Sequence, residues 1–163
     1  MKKSPSAIQL LQDDREKDGW SEEYLGAGFK VENKRMKTGD YTIVGMEKIL
    51  CIEKKSGWSE IACDIATKAN RQRFVKMLRR MKKYPIKIMV IHDKITTLLG
   101  RQFFSSSIHP HVVLGWLLNF QLEYGIIVLL VGKKSKAKAT IRALIRKIVE
   151  YNQSGRLFER GKK

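Results

Sequence analysis

The sequence predicts an α/β fold, a mixed central sheet flanked by helices, and three observations carry that expectation. Short apolar, β-branched runs such as Ile86 to Ile91 and Ile126 to Val131 have the length and composition of buried strands. Segments of helical period lie between these runs, as the crossovers joining parallel strands require. Finally, Tyr41 to Val44 and Ile49 to Lys54 are two strand-like segments joined by a tight connection containing Gly45, so a hairpin is expected and the sheet must be mixed.

Taken in order, Ala7 to Gln12 is short and mostly apolar and runs into acidic residues. It reads as a buried strand that delivers Asp13 to a strand end. Glu22 to Ala27 is expected as a short helix closed at Gly28, after which Phe29 to Met36 alternates as an exposed strand does. Thr38-Gly39-Asp40 reads as the turn into the hairpin. From Ser59 the period becomes helical, with Ile61, Ile65 and Ala69 on one face. Phe74, Leu78 and Met81 follow in a shifted phase, which predicts a break near Asn70. His109-Pro110 opens a further helix ending at Gly125, because proline suits the first helical position and glycine the residue just past the end. A last amphipathic helix is expected from about Ser135 to Asn152. Residues 1–152 are expected as one domain, and 153–163, basic and poor in hydrophobes, as a flexible tail.

The chain has 163 residues, enough for one sizeable core, with 33 Lys and Arg against 16 Asp and Glu. A formal charge of +17 attracts polyanions, and nucleic acid is the usual partner of a globular chain this basic. An anionic membrane is the weaker alternative, since the basic residues spread along the whole chain and do not gather on one amphipathic helix. The apolar runs are too short to span a bilayer, and Met1-Lys2-Lys3-Ser4-Pro5-Ser6 opens no secretory signal. An intracellular, DNA-associated location is expected, the nucleus in a eukaryote and the cytoplasm or nucleoid otherwise. Cys51 and Cys63 lack the paired spacing of a zinc site and read as reduced core thiols.

Chemistry concentrates in the hairpin. Asp40 follows a glycine at a strand entrance, and Glu53 and Lys55, two apart on the next strand, point to the same face. Two carboxylates on adjacent strands suit a hard divalent cation such as magnesium, and a nearby lysine can orient or deprotonate water for attack on a phosphodiester. The spacing matches the PD-(D/E)xK nuclease pattern, although an ordinary charged hairpin satisfies it too. His92, His109 and His111 are too scattered to form a ligand cluster. Trp20, Trp58 and Trp116 are candidates for stacking on unpaired bases. Trp58 is the preferred one, expected in a loop beside the site, whereas Trp116 belongs to an apolar helix and is assigned to core or interface.

Several separate motifs in agreeing order widen this match: Asp13-Asp14-Arg15-Glu16, Gly39-Asp40-Tyr41, Glu53-Lys54-Lys55-Ser56, Asn70-Arg71-Gln72-Arg73-Phe74, and His109-Pro110 with Gly115 and Tyr124-Gly125. Over about residues 7–152 the chain resembles the nuclease domain of the XPF/MUS81 (ERCC4-type) structure-specific endonucleases, within the PD-(D/E)xK superfamily. The resemblance implies a restriction-endonuclease-like fold and Mg2+-dependent hydrolysis of branched or partly single-stranded DNA, with Mn2+ able to substitute. It implies that Asp40 and Glu53 bind the metal, that Lys55 positions the attacking water, and that Asp13 supports the metal or its water shell. Arg15, Lys54, Arg71 and Arg73 would grip phosphates flanking the scissile bond. Two positions depart from the family. Lys54 stands where the family has arginine, and the family's later acidic position is Ser59: either a one-residue insertion near Gly57-Trp58 carries Glu60 into place, as a further metal ligand, or that role is absent. The tandem helix-hairpin-helix domain common after such nucleases is not expected in the few residues beyond Asn152, so DNA must be held by the domain's own basic surface or by a partner.

The resemblance also implies dimerisation, as a homodimer or with a related subunit, and Leu114, Leu117, Leu118, Ile141, Leu144, Ile145 and Ile148 are the apolar set for it. Two other classes compete with an active endonuclease. A catalytically silent, nuclease-like DNA-binding subunit would have lost metal ligands, whereas Asp40, Glu53 and Lys55 are all present. An architectural DNA-binding protein leaves the acidic motif positions of a basic chain unexplained.

Overall fold

The chain enters its sheet on β1 (Ile8–Gln12), makes the short helix α1 (Glu22–Leu25), and returns on β2 (Phe29–Asn33), which pairs parallel to β1 at the sheet edge. These coordinates are a computed structural model and describe residues 6–100 and 108–156. β3 (Tyr41–Ile43) and β4 (Leu50–Lys55) form the antiparallel hairpin, with β3 also antiparallel to β1. Two helices, α2 (Trp58–Ala66) and α3 (Lys68–Met81), cross over to β5 (Ile86–Ile91), parallel to β4. The short α4 (Ile95–Leu99) and the long α5 (Pro110–Tyr124) then lead to β6 (Ile127–Leu130), parallel to β5, and α6 (Lys134–Gln153) follows. The sheet order is β2-β1-β3-β4-β5-β6, the mixed sheet that the sequence predicts.

Alternation along the central strands sorts the core into two layers. Cys51, Met89 and Ile91 point to one face, where they pack with Trp58, Ile61 and Ile65 of α2, Phe74 and Leu78 of α3, and Leu117 and Phe120 of α5. Leu50, Ile52, Ile88 and Val90 point to the other, against Leu25 of α1 and Ile141 and Ile145 of α6. β4 is buried along most of its length, so the hairpin is a core element and not an exposed charged ribbon.

Several boundaries shift for physical reasons. The α2–α3 break falls at Thr67, whose side chain accepts a hydrogen bond from Asn70 N at 3.1 Å and caps α3, three residues before the expected position. α1 closes at Gly26 instead of Gly28, its N–H donating to Glu22 O, and β2 ends at Asn33. Cys63 is exposed on α2, so only Cys51 is a core thiol. The expected tail begins only after Gln153, and residues 157–163 of it lie outside the described residues. No helix among the described residues is long and apolar enough to cross a membrane.

Candidate active site

The hairpin brings three of the candidate side chains together. Gly39 turns into β3 at φ 77°, and a Cβ there would meet Cys51 Sγ at 2.6 Å and Ile52 O at 3.0 Å, so the close approach of the two strands requires glycine. Asp40 is thereby pinned between strands: its N–H donates to Ile52 O at 2.8 Å, its carbonyl accepts from Asp13 N at 2.8 Å, and its Oδ2 accepts from Lys54 N at 2.7 Å. Glu53 and Lys55 share the β4 face that looks toward α2 and α3.

Electrostatics distinguish this pair of carboxylates from the rest of the molecule. Burial, then the charge of Glu53, pushes Asp40 up to about 8. Burial likewise raises Glu53, only partly opposed by Lys55. Two carboxylates that both resist ionisation are a site short of positive charge, and an oxygen-seeking divalent cation supplies it. The oxygen donors of Asp40 and Glu53 are of the kind that magnesium takes. Among the described residues no group of three or more His, Cys, Asp and Glu side chains is gathered for a metal.

Lys55 is buried beside this pair, with its Nζ 3.2 Å from Glu53 Oε1, 3.3 Å from Glu60 Oε1 and 2.9 Å from Asp64 Oδ2. Burial acts to discharge the ammonium, but Glu53, Asp64 and Glu60 outweigh it and hold Lys55 well above an ordinary lysine. Glu60 sits in the first turn of α2, where its Oε2 also accepts from Ser56 N at 2.7 Å. It thus stands at Lys55, with one oxygen on the lysine and the other on the backbone. Asp64, one turn further along the same face, escaped the sequence reading. Its signal was the four-residue spacing from Glu60 on a helix that packs over β4.

The side chains of the other candidates are engaged elsewhere or point to solvent. Asp13 is buried, and both its oxygens are engaged: Oδ1 accepts from Arg15 Nε at 2.7 Å and from Arg15 N, Oδ2 from Arg15 NH2 at 2.8 Å and from Met36 N. The Arg15 hydrogen bonds, acting against burial, hold it at about 2. Arg15 itself is 60% exposed and faces solvent from that anchor. Lys54 points away from Glu53, because neighbouring strand residues alternate, and its buried Nζ pairs with Glu16 Oε1 at 3.3 Å. That is a correction: Lys54 holds Glu16 and does not reach a phosphate. Trp58 is a second. It opens α2 with its ring buried, Nε1 donating to Lys94 O at 2.7 Å and N to Asp93 Oδ2 at 3.3 Å, so it cannot stack on a base. Trp20 is buried as well, stacked on Tyr41 and donating to His92 Nε2. Arg71 NH1 donates to Ile65 O at 2.8 Å and closes the end of α2, while Arg73 is exposed and bonded to Asn70 Oδ1. His109 caps α5 through Nδ1, which accepts from His111 N.

Fold and site together define a restriction-endonuclease-like α/β domain. The ERCC4 domain profile matches residues 12–144, and the chain belongs to that family, the XPF/ERCC4-type nucleases. Among solved structures, XPF from Aeropyrum pernix aligns with a TM-score of 0.66 and 18% identity, covering 91% of this chain and 68% of that one. XPF from Aeropyrum pernix in complex with DNA aligns with a TM-score of 0.66 and 18% identity, covering 88% of this chain and 66% of that one. No curated protein matches the sequence significantly.

Proposed function

We propose that this domain is a metal-dependent, structure-specific DNA endonuclease that hydrolyses phosphodiester bonds in flaps, forks or related junctions. The observation that carries this is the buried Asp40–Glu53 pair, whose raised pKa values call for a cation at the open end of the hairpin. Membership of a nuclease family and the solved complex of XPF from Aeropyrum pernix with DNA support DNA as the ligand. Asp40 and Glu53 would hold magnesium, or manganese in its place, which supplies a Lewis acid at the scissile phosphate and a more acidic bound water.

The chain's own residues do the rest. Lys55, kept charged by Glu53, Glu60 and Asp64, orients the attacking water and offsets negative charge developing on the phosphate; as an ammonium it already holds its proton and does not act as the base. Asp13 anchors Arg15, so the guanidinium meets a flanking phosphate already oriented. Arg73 is exposed for a second phosphate contact, whereas Arg71 divides its donors between α2 and solvent. Self-association, as a homodimer or with a related subunit, would use the apolar surface of α5 and β6.

Purified protein with magnesium, assayed on duplex, single strand, flap, fork and four-way junction, tests this directly. Branched substrates are expected to be cut. Asp40→Asn and Glu53→Gln should each lower cutting by more than about 100-fold with binding retained, since even the outer partners of metal ligands are worth roughly 10–100-fold. Full activity in chelator, or undiminished cutting by both variants, overturns the proposal. Binding by the wild type with no cutting of any substrate would make this a silent DNA-binding subunit.

A further inference from the structure

The face of α3 turned away from the sheet carries a stripe that the acidic site does not use. Lys68, Arg71, Val75, Lys76 and Arg79 recur at helical spacing and, with Trp116 of α5, line an open groove of roughly 630 Å3. Four of these side chains are cations, and among the described residues no acidic side chain lines the groove. Trp116 is the half-buried member of the three tryptophans, its ring held 6.3 Å from Phe74, and Lys55 Nζ lies 5.5 Å over the Phe74 ring. Two ring contacts in series therefore separate the groove from the lysine of the acidic site. Arg71 ties the two together from below, since it closes the helix that carries Asp64.

We propose that this groove holds an unpaired DNA strand running from the acidic site, with a base stacked on Trp116 and phosphates against Lys68, Arg71, Lys76 and Arg79, an inference that rests on the nuclease reading above. A cationic wall explains affinity for a phosphate chain. An aromatic and a valine on its floor explain why the strand is unpaired, because only a base freed from its partner can offer a face to the indole. The sequence reading gave the stacking role to Trp58, and the burial of Trp58 leaves Trp116 to fill it.

The fluorescence of the full chain in magnesium-free buffer tests this, because Trp20 and Trp58 are 0% and 1% exposed and a bound strand reaches Trp116 alone. The probe is an oligothymidylate of about ten nucleotides, within the range a single stacking groove accommodates. It should quench wild-type emission, and Trp116→Phe should abolish the quenching. Trp116→Ala should weaken binding at least about 5-fold, with Trp116→Phe recovering part of it. Lys68→Ala with Lys76→Ala should lower the salt slope by about 1.4, since each phosphate on a single strand contributes roughly 0.7. Retained duplex binding shows that each variant is folded. Emission unmoved at saturation, unchanged affinity in Trp116→Ala, or equal competition by polyglutamate overturns the proposal. Cutting is assayed separately in magnesium: lost quenching with intact cutting removes the groove alone, and intact quenching with no cutting removes the nuclease reading alone.

Discussion

Asp40 makes the site measurable without any DNA. Its carboxyl ionises near 3.8 in an unfolded chain and is pushed up to about 8 in the fold by burial and Glu53. Between those values the folded state binds the extra proton, so its contribution is fully present below about pH 4 and is lost as pH rises toward 8. Asp40→Asn removes the liability and keeps an acceptor for Lys54 N, so in chelator it should melt higher than wild type, by on the order of 5 °C at pH 8, with the gap closing near pH 4. Magnesium should reverse the order at pH 8 by stabilising the wild type alone. A constant gap across pH, or equal magnesium stabilisation of both, removes Asp40 from the metal. Asp13 has the opposite sign: held at about 2 by Arg15, it stabilises above its ordinary value of 3.8 and fails as pH falls toward 2. At this scale the sequence was legible where motif and strand parity coincide, at Asp40, Glu53 and Lys55. It was not legible where a partner comes from far along the chain. Nothing near Trp58 announces that Asp93, 35 residues away, caps its helix, and nothing near Lys54 announces Glu16, 38 residues away.

Helix and strand signals were read best where the punctuation is local. Pro110 and Gly125 bound α5 as expected, with Gly125 left-handed at φ 64°, and β5 matches its apolar run. α4 was missed because its five residues have no side-chain cap and span little more than a turn. The apolar surplus assigned to the last two long helices also needed the structure to sort. Leu117, Ile141, Ile145 and Ile148 are core, and the exposed surface is Leu118, Leu122 and Val112 on α5 with Ile127 on the edge strand β6. Leu122 is 86% exposed, one turn from Leu118 at 50%, and Ile127 is 57% exposed on an edge open to pairing. A second copy is expected there. Light scattering at micromolar concentration should give a dimer mass, and Leu118→Glu with Leu122→Glu should give a monomer whose melting temperature is nearly unchanged, since neither side chain is in the core. A monomer at every concentration up to about 100 μM, or a dimer unaffected by both substitutions, rejects that face.

At the scale of the whole molecule, basic stripes stand on both sides of the sheet. α3 carries one basic stripe, and α6 carries another, Lys136, Lys138, Arg142 and Arg146, the two arginines lying over Phe29 at 5.6 and 5.4 Å. α3 packs on the layer with Met89 and Ile91, and α6 on the layer with Ile88 and Val90, so a straight duplex meets one stripe at a time whereas a bent junction can meet both. Affinity should therefore fall steeply with salt for every DNA, by roughly 0.9 log units per neutralised duplex phosphate per decade of salt, and with a steeper slope for a junction than for duplex of equal length. Base sequence should matter little, because phosphate contacts carry no sequence information. Arg142→Ala with Arg146→Ala should flatten the junction slope by about 1.8 and reduce the preference for junction over duplex, while leaving metal-dependent cutting of a bound flap intact. Equal affinity for duplex and branched DNA at about 150 mM salt, or a double variant with an unaltered junction slope, would show that one face alone meets the DNA.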